Sequence, residues 1–482
     1  MAQFIDQFIR SLQPGEAKAV RRYIKNNVAN GEESKTLEVL EAMLAGKEIK
    51  YTNLAALNKM KSRIFEKSLD AMLIDNEFIS TTYSELDQVA IRLRKQLLQC
   101  KMLLRNRTSN KAEAIQHLTS QLIIEAKKYE LCYIVSEALT ITKYDLAKQN
   151  SVTDFDKINK EIAFYDYCEQ ALVKANDDYF RLILNTHNTQ EYSKKELDAT
   201  IRNSIRRMSQ DFRKTKSQTI NYYLHIMRFA LFERKKEYKL AIRECEKVIV
   251  LMKKHPGIKR KERIGFIYDN ISHFNAFLGN YEKAILALQK AQTCLTPNSR
   301  DFITSKEQEF QVHFYSRNYL KAENCLEIIL NHSPSDTGPF KRAKYIYFQA
   351  CLLFMQKKYK ESLALLKKPL EIEKDKERWN IAVRLLTVMI YIELDRQADA
   401  TRILEALRKY MDRNKANEKI GPRDVLIIKA LRELEKGDFE FNPTNTVLNV
   451  LMKQLSTENK AMSWEPFSAE LIPFHEWLEG RK

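Results

Sequence analysis

Gly279-Asn280-Tyr281-Glu282-Lys283-Ala284-Ile285-Leu286-Ala287-Leu288 places an aromatic three residues ahead of a small residue and a leucine four residues behind it. The same spacing returns along the second half of the chain. Tyr238 precedes Ala241, Tyr319 precedes Ala322, Tyr359 precedes Ser362, and a weaker copy sets Gln397 before Ala400, so the small residues stand 43, 38, 40 and 38 positions apart. Four residues after each lies Cys245, Leu288, Leu326, Leu366 or Leu404, and three further Val248, Ala291, Ile329, Pro369 or Leu407. This is the stripe of one helix face. The small residue lets a neighbouring helix approach, and the aromatic plugs the turn between two antiparallel helices.

Upstream, Lys47 to His255 is a run of 209 residues without a glycine or a proline. Strands need turns, and turns draw on Gly for positive φ and on Pro for a fixed φ, so a β-rich or α/β fold is excluded over that stretch. The reading is an all-α array of stacked helices. Residues 2–12 and 15–27 read as helices broken at Gln13-Pro14-Gly15, Ser34 as the cap of a helix running to Ala45, and Thr52 or Asn53 as the cap of one reaching Asp75. The expected organisation is an N-terminal helical module over 1–80, long amphipathic helices over 81–216, repeats over 217–441 and a capping segment over 442–482. A fainter unit, Tyr129 then Cys132, carries the array toward the N-terminus, and Gly437-Asp438-Phe439 closes it.

The segment Gly279 to Ala284 with Leu288, Ala291 and Pro297, and the next with Asn318-Tyr319, Ala322, Leu326 and Pro334, resemble the tetratricopeptide repeat superfamily. The spacing here exceeds that family's period of about 34 residues, and Ser272 and Asn275 stand where its first helix carries a regular small residue and tyrosine. The resemblance covers 217–441. It implies a right-handed α-solenoid of helical hairpins in which the first helix of each pair lines a concave groove for a protein or peptide. In this chain that face is expected to present Tyr223, Phe266, Asp269, Asn270, His273, Gln308, Gln311, Tyr315 and Tyr347. The family's clamp for a terminal carboxylate uses Lys, Asn and Arg at fixed positions, and only Asn270 matches.

A chain of 482 residues exceeds what one compact core builds, whereas a solenoid grows by addition. Met1-Ala2-Gln3-Phe4-Ile5-Asp6 has neither the basic start nor the apolar core of a secretory leader, and seven cysteines without a Cys-x-x-Cys pair point to a reducing, cytoplasmic compartment rather than to disulfides or zinc. No phosphate-binding glycine loop, nucleophile elbow or His-Glu-x-x-His pair occurs, so the expectation is a protein without catalytic, cofactor or metal residues.

Charge supplies a second candidate surface. Lys and Arg exceed Asp and Glu by 18 overall, and residues 201–263 alone hold 19 basic against 6 acidic residues. The concentration lies in Arg202, Arg206, Arg207, Arg213, Lys214 and Lys216, then in Lys253, Lys254, Lys259, Arg260, Lys261 and Arg263. Such a concentration suits an acidic protein or a phosphate backbone, so a nucleic-acid-contacting regulator or adaptor is the alternative to a protein-binding scaffold. The helix expected from Thr52, with Asn58, Lys59, Lys61, Ser62 and Arg63, is a further candidate for nucleic-acid contact. Finally, the aromatic stretch Trp464-Glu465-Pro466-Phe467 through Phe474-His475-Glu476-Trp477-Leu478 is expected to fold back on an exposed helix face and cap the open end of the array.

Overall fold

The structure, a computed structural model, describes residues 2–27, 32–47, 53–105, 109–148, 152–187, 194–332, 338–367, 379–414, 420–457 and 462–481. Regular structure among them is entirely helical. The helices are α1 (Ala2–Arg10), α2 (Pro14–Asn27), α3 (Glu33–Leu44), α4 (Leu54–Ile74), α5 (Asn76–Thr82), α6 (Glu85–Arg105), α7 (Ser109–Lys128), α8 (Cys132–Lys148), α9 (Val152–His187), α10 (Lys194–Thr215), α11 (Gln218–Arg234) and α12 (Tyr238–Lys254). They continue as α13 (Lys261–Phe277), α14 (Tyr281–Cys294), α15 (Arg300–Tyr315), α16 (Tyr319–Leu330), α17 (Pro339–Met355), α18 (Tyr359–Leu366), α19 (Trp379–Glu393), α20 (Gln397–Asn414), α21 (Pro422–Glu435), α22 (Thr446–Ser456) and α23 (Phe474–Glu479).

The chain divides into two compact units. The first comprises residues 1–181, 207–221 and 253–259, and the second 182–206, 222–252 and 260–482. In the first, α1 to α4 close around Ile9, Val20, Ile24, Leu40, Met43 and Ile64. Asn53 caps α4 by accepting from the amides of Ala55 and Ala56, at 3.0 and 3.1 Å, and Gly46 ends α3 at φ +66°. Ser34 lies inside α3, whose N-cap position is Glu32, because Thr36 rather than Ser34 bonds back to that residue's carbonyl. Helices α6, α7 and α8 then pack in succession over Leu93, Cys100, Ile115, Leu122, Ile134 and Val135.

In the second unit each helix from α13 to α22 packs on the next, and α13 on α15 and α17 on α19 besides, which is a stack of hairpins. Its turns repeat one geometry. Lys236, Gly279, Arg317, Lys357 and Asp395, each two residues ahead of a signature position, adopt φ of 60°, 71°, 59°, 61° and 54°. The next amide reaches back five residues: Glu237 to the Phe232 carbonyl at 2.8 Å, and Asn280 to Asn275, Asn318 to His313, Lys358 to Leu353 and Arg396 to Tyr391, all at 2.9 Å. This left-handed residue with a 6→1 bond satisfies the last carbonyls of the outgoing helix and starts the return helix at once. In the first unit Glu130, at φ 55°, and the bond from Leu131 to the Ala126 carbonyl at 2.9 Å make the same turn ahead of Cys132.

The small residues Ala241, Ala284, Ala322, Ser362 and Ala400 are all wholly buried. Cys245, Leu288, Leu326, Leu404, Val248, Ala291, Ile329 and Leu407 are buried with them, Leu366 is half-buried, and Pro369 lies outside the described residues. The signature aromatics pack where expected. Tyr238 stacks on Phe277 at 4.7 Å, Tyr319 meets Phe314 at 5.6 Å and Tyr359 meets Phe354 at 5.2 Å.

Candidate peptide-binding groove

Residues 462–481 decide what the inner helices are in contact with. They touch α13 and α15 through Phe467, α17 through Ala469, α21 through Glu470 and α19 through Trp477 and Arg481. The aromatics of this strap find rings on α13 and α15, and α23 packs on α22 of the last hairpin.

Phe467 is its anchor. The ring stacks on His273 with centroids 4.6 Å apart, and lies 5.9 Å from Phe277 and 5.8 Å from Tyr315. Its amide donates to the Tyr315 hydroxyl at 2.7 Å, and its φ of 63° is unfavourable for a bulky side chain. Two residues on, the Ala469 carbonyl accepts from the Tyr347 hydroxyl at 3.0 Å. Glu470 is then gripped by Arg423, a buried guanidinium that donates at 2.6 and 2.8 Å to its two oxygens and at 2.9 and 2.8 Å to the carbonyls of Leu455 and Met462. Both ions thus have full hydrogen-bonding complements, the condition under which a buried pair is tolerated. Leu471, Phe474 and Leu478 are wholly buried. At the far end the Trp477 indole and Arg481 donate to one Glu393 oxygen at 2.8 and 2.6 Å, Arg317 reaches Glu476 at 3.2 Å, and Lys236 pairs with Glu465.

Between strap and hairpins lies a cavity of about 520 Å³. Three successive signature aromatics, Tyr281, Tyr319 and Tyr359, line it together with Trp464 and Trp477, so the turn positions that build the repeat also wall a chamber.

The expected groove residues fall into four groups. Tyr315, Tyr347 and His273 hold the strap. Tyr223 and Gln311 are buried, at 7% and 4% exposure, and belong to the packing. Phe266 is exposed, at 54%, and the half-buried Asn270 donates from its amide back to the Phe266 carbonyl at 2.8 Å. Asp269 and Gln308 join α13 to α15: Asp269 accepts from Ser305 at 2.8 Å, and Gln308 donates to the Asp269 carbonyl at 3.0 Å. Burial pushes the Asp269 carboxyl up to about 7, Ser305 opposing and the Asp301 charge adding to the rise. Arg423 and Glu470 were not among the expected residues. Their only sequence signal is opposite charge at two distant positions of an otherwise apolar context.

The expected basic residues are divided between the two units, and some are engaged by neighbouring side chains. In the first unit Arg207 is taken up by Asp178 and lies 3.9 Å from Asp211, while Lys214 sits 5.3 Å over the Tyr167 ring; Arg213, Lys216, Lys253, Lys254 and Lys259 are exposed. In the second, Arg202, Arg206 and Lys261 are exposed, Arg260 is half-buried, and Arg263 packs 5.9 Å from the Tyr222 ring. In α4, Lys61 is held by Asp6 at 2.8 Å. No helix among the described residues is long and apolar enough to cross a membrane.

The second unit is an all-helical repeat of antiparallel hairpins. No family model matches the chain, and no curated protein does. Among solved structures it is similar to a tetratricopeptide repeat protein from Parabacteroides merdae, with 15% identity over 60% of this chain and 98% of that one and a TM-score of 0.40. It is similar also to a Signal Transduction ATPase with Numerous Domains protein with a tetratricopeptide repeat sensor from Pyrococcus horikoshii, with 12% identity over 90% and 66% and a TM-score of 0.43. A third likeness, to the "TPR2AB-domain:pHSP90-complex of yeast Sti1", has 15% identity over 56% and 96% and a TM-score of 0.21. The helical-repeat fold rests on the repeated turns and the buried small residues, not on these superpositions.

Proposed function

We propose that the protein is a non-catalytic scaffold whose inner helices α13, α15, α17 and α19 bind an extended segment of a partner protein. One observation carries the reading: the groove already holds such a segment, the protein's own residues 462–481. It does so as a peptide is held, with side-chain hydroxyls on the main chain at Phe467 and Ala469, a ring in an aromatic slot and a carboxylate on a buried arginine. The strap and a partner segment compete for those positions, while Phe266 and Asn270 offer a first contact.

The test compares capture of a partner from native extract by the parent, by Phe266→Ala with Asn270→Ala, and by Phe467→Ala, which frees the slot. The outer pair should weaken capture by roughly 0.5–2 kcal/mol in total, since a few anchors dominate such interfaces. Freeing the slot should strengthen it. Equal capture by all three proteins sinks the groove as the binding site.

A further inference from the structure

We propose a Zn²⁺ site between α15 and α16, formed by Glu309, His313 and Cys325. Glu309 and His313 are an i, i+4 pair on one face of α15, and Cys325 comes from the antiparallel return helix. All three are buried, at 8%, 3% and 5% exposure, and their donor atoms lie within 4.8 Å of one another. A carboxylate, an imidazole and a thiolate on a rigid hairpin form a mixed O, N, S set of the kind zinc accepts.

The surroundings leave that donor set available. Gln292 and Lys306 both donate to the same Glu309 oxygen, Oε2, at 2.8 and 2.7 Å. They fix the carboxylate plane from outside and leave Oε1 facing His313 Nε2 at 3.8 Å. Metal–ligand lengths of about 2.0–2.3 Å place two ligand atoms of a tetrahedral ion roughly 3.3–3.8 Å apart. An oxygen–nitrogen pair takes the lower part of that range, so this pair closes by about 0.3–0.5 Å and Sγ by about 1 Å as the ion binds. The other imidazole nitrogen, Nδ1, is buried without a hydrogen-bond partner, one of five such side-chain atoms among the described residues. On binding, the Cys325 thiol loses its proton to solvent as the sulfur–zinc bond forms, and the ion with its carboxylate and thiolate sums to zero charge. Three protein ligands leave one tetrahedral position for water.

Chelator-treated full-length protein titrated with Co²⁺, a spectroscopic stand-in for zinc, should give visible d–d bands and a thiolate-to-cobalt charge-transfer band, saturating at one equivalent. Zn²⁺ should abolish both, release one proton and raise the melting temperature, since an ion bound only by the folded state stabilises it. Cys325→Ser should lose the charge-transfer band, and His313→Ala should bind at least about tenfold more weakly. Cys294→Ser, which removes the least buried thiol, should change nothing. Absence of the cobalt spectrum in folded parent protein overturns the site, as does a charge-transfer band that survives in Cys325→Ser. Should that variant not fold, Glu309→Gln decides in its place: unchanged Co²⁺ affinity there overturns the site equally.

Discussion

Ala284 and Ala322 have no accessible surface at all, and each faces the neighbouring helix where extra methyl groups have no space to enter. Leucine at either position should cost about 1–3 kcal/mol through overpacking; chemical denaturation would read it, and parent-like midpoints for both would remove the repeat register. Asp269 answers to pH instead. Its carboxyl is raised from 3.8 to about 7 in the folded protein. The folded state therefore holds a proton that the unfolded state has lost, and stability from this residue falls as pH rises between those values. Asp269→Asn keeps an acceptor for Ser305 and removes the titration. Its melting temperature relative to the parent should be near zero at about pH 4, climb with pH, and level off above about pH 7. A difference that is flat across that range would show that Asp269 stays ionised. These residues also mark where reading by sequence ends. The buried alanines are legible because their period repeats, whereas nothing in Tyr347 or Gln311 tells whether an inner helix face meets solvent or a segment more than a hundred residues downstream. Glu309 and His313 share a helical face by spacing, but their approach to Cys325 depends on how two helices meet.

At the scale of elements, the hairpin turns share one backbone and differ in the residue that adopts it. Gly279 carries a positive φ without strain, while Lys357 holds nearly the same angle with a side chain attached. Gly279→Ala should therefore lower stability by about 1 kcal/mol, and Lys357→Gly should raise it by about 0.5 kcal/mol. Thermal unfolding of the two variants checks the pair, and matching signs would count against a common turn. This turn explains why the glycine-free stretch and the glycine-containing repeats build similar corners: the 6→1 bond, not the glycine, defines them. The described residues from 47 to 255 hold no strand, in keeping with the lack of glycine there, yet that lack conceals the turn at Glu130. The strap was visible as an aromatic, foldable segment, but its course was not, since its ring partners come from repeats far apart in the chain.

For the molecule as a whole, the strap has a consequence in time. The Tyr315 hydroxyl that receives the Phe467 amide is separated from it by 152 residues. At roughly 5–20 residues per second, about 8–30 s of synthesis pass between making the slot and making the ring that fills it. By the later part of that interval the hairpins from α13 to α19 have been translated and can pack, while His273, Phe277, Tyr315 and Tyr347 have no strap over them. A nascent chain in this condition displays a row of aromatic rings to whatever else is in the surrounding solution, so the groove is open to other proteins before it first meets its own tail.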